Sequence, residues 1–446
     1  MSDAPADKPS PAPSLAQRLA KGAGQTALAF VAAQALRFGT NLVLARLLFP
    51  EAFGLMALVT VILVGAVMMS DAGIGQSVRQ SARGDDPVFL NTAWTMQVLR
   101  GAALWAAIAA IALPAAHFFA APDLALMLPV AGVTLLLSGL EPMKAEQAYR
   151  HLSLARVTMS ELTAQAIGLS VMIALAAQTG SVWSLVAGMV AASAAKTALF
   201  WIRLPGPNNW FSWEKSAATE LYHFGIWIFF SSTFGFLLSQ GDKAILGRFM
   251  TQADLGIYNI AYFLASAPML LAGALTSALL LPAYRIAAEE GAVAAHRMRR
   301  MRFVLTAIVL CLLAVLVGIG PWLVAALYDD RYLQAGHILV WIALMQMWPL
   351  IGLTYDQAAL AAGDSRNFFW VIALRAIVQT LFFMVGFSLY GLQGALAGQA
   401  LAAVLVHPAV VWIARKHGVW DARHDLTAAS AALVFLVLYL QFGPAL

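Results

Sequence analysis

Four basic residues, Arg37, Arg100, Lys243 and Arg375, lie deep inside apolar runs of this 446-residue chain. Each would cost roughly 2.5 to 3.5 kcal/mol at the centre of a membrane helix, so such a residue marks a site or a paired charge. The chemistry they suit is the binding of an anion, because arginine's planar fork holds two oxygens of a phosphate or carboxylate at once. Amides and hydroxyls accompany them at helical spacing: Gln34, Arg37 and Asn41; Gln97 and Arg100; Ser232, Ser239 and Lys243; Arg375 and Gln379. Such stripes face a wet cavity or another helix rather than lipid. The acids Asp71, Glu161, Asp242 and Asp356 are candidate ion-pair partners of these bases, or carriers of a coupling H+ or Na+. No other cofactor is expected. The single cysteine, Cys311, excludes a disulfide framework and a thiolate metal cluster. No P-loop, HExxH, CxxC or GxSxG stands in a credible context, so the chain reads as a binder and carrier, not an enzyme.

The elements that must hold these residues are membrane helices. The chain is 61% apolar and 11% charged, against roughly 25% charged in a soluble domain, and its mean hydropathy is +0.78. A span needs about 20 apolar residues to cross roughly 30 Å of hydrocarbon. Thirteen candidates follow: 26–49, 52–73, 89–112, 124–141, 157–177, 182–202, 221–247, 255–281, 303–328, 333–360, 368–390, 392–414 and 426–443. They must be helical, since backbone polar groups in lipid are satisfied within the segment. Residues 1–25, rich in Pro, Ala and Ser, read as a disordered tail.

Loop charges fix the expected orientation. With the N-terminus cytoplasmic, the inside loops carry nineteen basic residues, among them Lys8, Arg79, Arg83, Arg150, Arg285, Arg302 and Lys416; the outside loops carry two, Arg248 and Arg331. This obeys the positive-inside rule at every loop. The net charge of +5 therefore reflects topology, and no basic-aromatic pattern points to nucleic acid. Arg46, Arg248 and Lys196, near span ends, read as snorkelling side chains.

The chain also repeats. GTNLVLARLLFPEAFGLMAL at 39–58 aligns with GDKAILGRFMTQADLGIYNI at 241–260, matching Gly39 with Gly241, Arg46 with Arg248, and Gly54 with Gly256. Glu146-Gln147-Ala148 with Arg156 likewise matches Asp356-Gln357-Ala358 with Arg366. The expected organisation is a tail (1–25), a six-helix bundle (26–204), a cytoplasmic linker (205–220), a second six-helix bundle (221–415) and one extra helix (416–446). Six is even, so the bundles share an orientation and are related by a pseudo-two-fold axis along the membrane normal, with a cavity between them. The alignment sets Asn41 opposite Lys243. Gly241, Arg248 and Gly256, shared by both copies, are assigned to the hairpin's architecture; Lys243 is assigned to cargo and Asp242 to tuning it or to coupling.

The stretches ARLLFPEAFGLMALVTVILVGAVMMSDAGIGQSVRQ at 45–80 and GDKAILGRFMTQADLGIYNIAYFLASAPMLLAGALTSALLLPAYRI at 241–286 resemble the paired signatures of bacterial polysaccharide-export flippases, the Wzx and WzxC-like branch of the MOP superfamily. The resemblance implies an all-α MATE-like fold of two six-helix bundles. It also implies translocation of an undecaprenyl-pyrophosphate-linked oligosaccharide across the bacterial inner membrane, for exopolysaccharide, capsule or O-antigen assembly. The implied partners are that lipid-linked oligosaccharide, membrane lipids, and polysaccharide polymerase and chain-length machinery. On that reading Arg37, Arg100, Lys243 and Arg375 neutralise the pyrophosphate while Gln34, Asn41, Gln97 and Gln379 contact sugar hydroxyls. The alternatives are a cation-coupled multidrug exporter of the same fold, which should have an acidic, aromatic pocket, a lipid II flippase, or a non-transport scaffold.

Overall fold

The computed structural model describes the backbone of residues 15–71, 73–280, 283–284 and 292–442. Lys8 and Arg285 lie outside the described residues, as does the tail up to residue 14. Every described regular element is helical: α1 (Leu15–Leu47), α2 (Pro50–Met69), α3 (Ile74–Gln80), α4 (Pro87–Phe118), α5 (Leu124–Gly139), α6 (Lys144–Arg150), α7 (Ala155–Thr179), α8 (Trp183–Arg203), α9 (Lys215–Phe249), α10 (Gln252–Ala265), α11 (Ala267–Leu275), a π turn (Thr276–Leu280), α12 (Ala292–Leu327), a 3-10 turn (Asp330–Tyr332), α13 (Gln334–Ala361), α14 (Ser365–Lys416) and α15 (Ala422–Phe442). Eight are each long and apolar enough to cross a membrane, and the bent pairs α5–α6 (59°) and α10–α11 (42°) raise the number to ten. The chain is a multi-pass membrane protein.

One of the eight, α14, runs 52 residues, about 78 Å at 1.5 Å per residue and too long for one crossing of about 30 Å. It breaks at Tyr390 and at Gly391, whose φ of 60° and ψ of −146° only glycine adopts without strain. Its two arms carry the expected spans 368–390 and 392–414. Each of the thirteen expected segments falls on a helix or a bent helix pair.

Two boundaries move. Helix α1 begins at Leu15, not after residue 25, because LAQRLAKGAGQ past the last proline is mostly good helix formers. The expected linker shortens to 205–214, since α9 starts at Lys215.

Within the first half, α7 packs on α1 and α8, and α5 on α2, α4 and α8; within the second, α13 packs on α10, α12 and α14, and α9 on α14. The halves meet where α2 lies against α9 and α10, and where α4 touches α9. One apolar core crosses this seam, from Leu44, Leu48 and Leu58 through Leu246 and Leu255 to Leu339. The seam is tightest between the hairpin turns, where Gly54 abuts the carbonyl of Gln252 and Gly256 abuts that of Pro50. The last helix, α15, lies against α12 and α13. It is fastened by Asp425, which accepts hydrogen bonds from the Tyr355 hydroxyl on α13 (2.7 Å) and from His407 Nε2 on α14 (3.0 Å).

Candidate functional site

A cavity of about 410 Å³ lies between the halves. Helix α1 presents Arg37, Thr40, Asn41 and Leu44 to it, an i, i+3, i+4, i+7 face. Helix α9 contributes Gln240 and Lys243, one turn apart, and α10 contributes Asn259 and Phe263. Lys243 is 9% exposed. Its Nζ sits 4.2 Å from the centroid of the Tyr262 ring, a cation–π contact that offsets part of the desolvation of the charge. No carboxylate lies within 4 Å of Lys243 or of Arg37 among the described residues. Asp242, its chain neighbour, turns away and accepts the Tyr258 hydroxyl at 2.6 Å, so it pairs with Tyr258 instead of tuning Lys243. The Oε1 atom of Gln240 is buried without a partner among the described residues, and Asn41 Oδ1 accepts the Tyr328 hydroxyl at 2.8 Å. Lys243, buried with no carboxylate in reach among the described residues, attracts an anion far more strongly than it would in water, and Arg37, which is exposed, adds a second positive charge on the same cavity.

The other two bases do not join them. Arg100 lines a separate cavity of about 230 Å³ in the first half, together with Asp71, Gln97, Glu141 and Glu146. It donates to the Val67 carbonyl (2.8 Å) and to Ser70 Oγ (3.0 Å). Gln97 spends its amide nitrogen on the carbonyls of Ser138 (3.0 Å), Gly139 (3.3 Å) and Glu141 (3.2 Å). Of its three carboxylates, Glu141 pairs with Lys196 and Glu146 with Arg79, so acids and bases balance here, and Arg100, held by Val67 and Ser70, is not presented to a phosphate. Asp71 accepts the Gly73 amide at 2.9 Å and so shapes the turn after α2. Arg375 lines a third cavity, of about 290 Å³ in the second half, with Gln379, and its fork grips Asp356 at 2.9 and 3.0 Å. That pairing neutralises the charge that was expected to meet cargo. Gln34 lies one turn before Arg37 but outside the lining of the central cavity. Glu161, half-buried on α7, forms no ion pair among the described residues. Lys196 does not snorkel but pairs with Glu141 at 3.1 Å.

Sequence reasoning missed several polar residues of these cavities. Gln240 carried a usable signal, one turn before Lys243 on the same face. Gln346 and Gln399, lining the third cavity, are isolated amides in apolar runs and carried none. Arg302, counted with the loop bases, is fully buried on α12. It donates to the Val419 carbonyl (2.9 Å) and the Tyr284 hydroxyl (2.8 Å) and stacks 4.3 Å from the Tyr355 ring centroid.

A family model described as polysaccharide biosynthesis protein matches residues 43–337. The succinoglycan biosynthesis transport protein ExoT of Rhizobium meliloti (strain 1021) is 22% identical over 408 residues, 89% of this chain and 77% of ExoT. The teichuronic acid biosynthesis protein TuaB of Bacillus subtilis (strain 168) is 19% identical over 311 residues, 69% of this chain and 64% of TuaB. Among solved structures, the lipid II flippase MurJ in an inward closed conformation superposes with a TM-score of 0.71 at 11% identity, over 94% of this chain and 93% of MurJ. An inward-facing multidrug resistance MATE family transporter of the MOP superfamily gives 0.61 at 13% identity, over 89% and 95%. Identities this low carry the fold alone, and the fold is the MATE-like one that the resemblance implied. The family match runs from the end of α1 to the start of α13 and takes in both hairpin turns and Lys243: this chain belongs to the polysaccharide biosynthesis protein family and has the fold seen in MurJ and the MATE transporter.

Proposed function

We propose that the chain is a flippase that carries an undecaprenyl-pyrophosphate-linked oligosaccharide from the cytoplasmic to the periplasmic leaflet of the bacterial inner membrane, with its N-terminus cytoplasmic. The observation that carries this reading is Lys243, a buried cation without a carboxylate partner, facing the same inter-bundle cavity as Arg37. A pyrophosphate supplies the missing negative charge, and charge-assisted bonds to its oxygens are among the strong ones. The prenyl chain remains in lipid at the seam between the halves, and rocking of one half on the other alternates access. No cofactor takes part. H+ or Na+ drives the cycle, with Asp71, the one carboxylate of the Arg100 cavity outside an ion pair among the described residues, as its carrier. Three observations support the reading: the polysaccharide-biosynthesis family, a relative named as a transport protein, and a structural neighbour named as a lipid II flippase.

The test is lipid mass spectrometry of a strain lacking the gene, complemented with the native chain, Arg37→Gln or Lys243→Gln. The native chain should clear a lipid-linked glycan that accumulates in the deletion strain. The variants, present at normal levels, should leave it in the cytoplasmic leaflet. The mass of that lipid separates an export oligosaccharide from lipid II. Normal polymer output from both variants would end the proposal.

A further inference from the structure

The third cavity is built for a ligand different from the one the central cavity suits. Its wall brings together three amides from three helical stretches: Gln346 on α13, and Gln379 and Gln399 on the two arms of α14. Among the described residues Gln346 Oε1 is buried with no partner, and Gln379 and Gln399, both half-buried, make no hydrogen bond. An unsatisfied buried polar atom costs about 1–3 kcal/mol, so the Gln346 oxygen, with two half-buried amides facing the same space, marks a place completed by something else. An anion does not fit, because the one charge on the wall, Arg375, is already neutralised by Asp356. An apolar ligand does not fit either, since it would leave the amides unsatisfied. A neutral polyhydroxyl ligand fits: each amide offers an acceptor and two donors to sugar hydroxyls, and the half-buried ring of Tyr262 gives an apolar face for a pyranose to lie against.

The position relative to the central cavity supplies the second line of argument. Lys243 lines the central cavity and Tyr262 lines the third one, and the two touch, Nζ to ring centroid 4.2 Å. The Lys243–Tyr262 contact is thus a shared wall. A pyrophosphate held by Lys243 has its first sugar next to that wall.

We infer that the cavity lined by Gln346, Gln379 and Gln399 is a saccharide subsite, which takes an uncharged pyranose next to the pyrophosphate and contributes to selection of the glycan. This rests on the flippase reading above. The test uses the full chain in nanodiscs, titrated by native mass spectrometry. The probes are undecaprenyl pyrophosphate alone and undecaprenyl pyrophosphate bearing one glucose, one galactose or one N-acetylgalactosamine. The native chain should bind at least one sugar-bearing probe about tenfold more tightly than the bare lipid, the scale of one or two satisfied hydrogen bonds. Gln346→Leu and Gln399→Leu should each remove most of that gain and leave bare-lipid affinity as it was, which also reports that the variant is folded. Lys243→Gln should weaken the bare and the sugar-bearing probes by the same factor. The subsite is overturned if no sugar improves on the bare lipid, or if the glutamine variants weaken all probes equally. A Lys243→Gln chain that binds bare lipid as well as the native one overturns the pyrophosphate reading instead.

Discussion

Gly54 and Gly256 make the same contact in mirror roles: a Cβ on Gly54 would meet the Gln252 carbonyl oxygen at 1.9 Å, and one on Gly256 would meet the Pro50 carbonyl oxygen at 1.9 Å. With the repeat offset that aligns Gly54 on Gly256, Pro50 aligns on Gln252, so the two contacts are one contact and its two-fold mate. No side chain fits at either place, because the atom it would strike is backbone and cannot rotate away. Gly54→Ala and Gly256→Ala should therefore push the two turns apart, which costs on the order of 1–3 kcal/mol as overpacking. Spin labels at Glu51→Cys and Thr251→Cys, in a background with Cys311→Ser, should report a longer distance in either glycine variant than in the parent. An unchanged distance distribution would show that the turns are not in obligatory contact.

The same pair shows what the sequence could reveal. Gly54 and Gly256 were recognisable as equivalent from the alignment alone, and so was the facing of α1 and α9, because a repeat carries its own geometry. The spans were legible because hydrocarbon demands long apolar runs. Gly39 and Gly241 were overread: a Cβ at Gly39 would meet nothing within 4 Å, and one at Gly241 only Thr380 Oγ1 at 3.8 Å. Partner choice was not legible either. Arg375 and Asp356 are 19 residues apart across a turn, and nothing local says that the guanidinium folds back on that acid. Arg302 sits in a run of arginines that reads as solvated, and its burial depends on Val419 and Tyr284, which arrive from distant segments.

Tyr262 supports Lys243 through its ring and not its hydroxyl, which makes the two parts separable. Tyr262→Phe keeps the ring and should leave polysaccharide output close to native. Tyr262→Leu removes a contact of about 0.5–2 kcal/mol from a buried, unpaired ammonium, so output should fall and lipid-linked precursor should rise. Equal output from the two variants would argue against a role for the ring.

The Arg375–Asp356 fork should behave as a buried structural pair, its side chains being 20% and 13% exposed. Removing one partner strands the other charge, at about 3–5 kcal/mol, whereas replacing both by apolar residues of similar size is far milder. Asp356→Asn and Arg375→Met should each lower the thermal midpoint in detergent strongly, and the Asp356→Leu, Arg375→Met double variant should lie well above their sum. Additive losses would instead assign the two side chains to separate partners.

Acid should loosen the loops at the α3–α4 and α13–α14 ends. Hydrogen bonds from Arg83 hold the carboxyls of Asp86 and Glu214 below their usual range, both at 2.6 Å. Hydrogen bonds from Lys416 and Asn367 do the same for Asp364. A carboxylate whose folded pKa is depressed contributes stability that is present above its unfolded pKa of about 4 and is lost as pH falls through that value toward the folded one. The thermal midpoint in detergent should therefore be flat from about pH 8 to about pH 5 and fall below about pH 4.5. All these groups are solvent-accessible, so the fall should be modest and weaker at high salt. Arg83→Gln removes two of the pairings, which should lower the midpoint slightly at neutral pH and flatten the decline in acid. A variant profile that runs parallel to the native one would show that Arg83 does not set the acid limb.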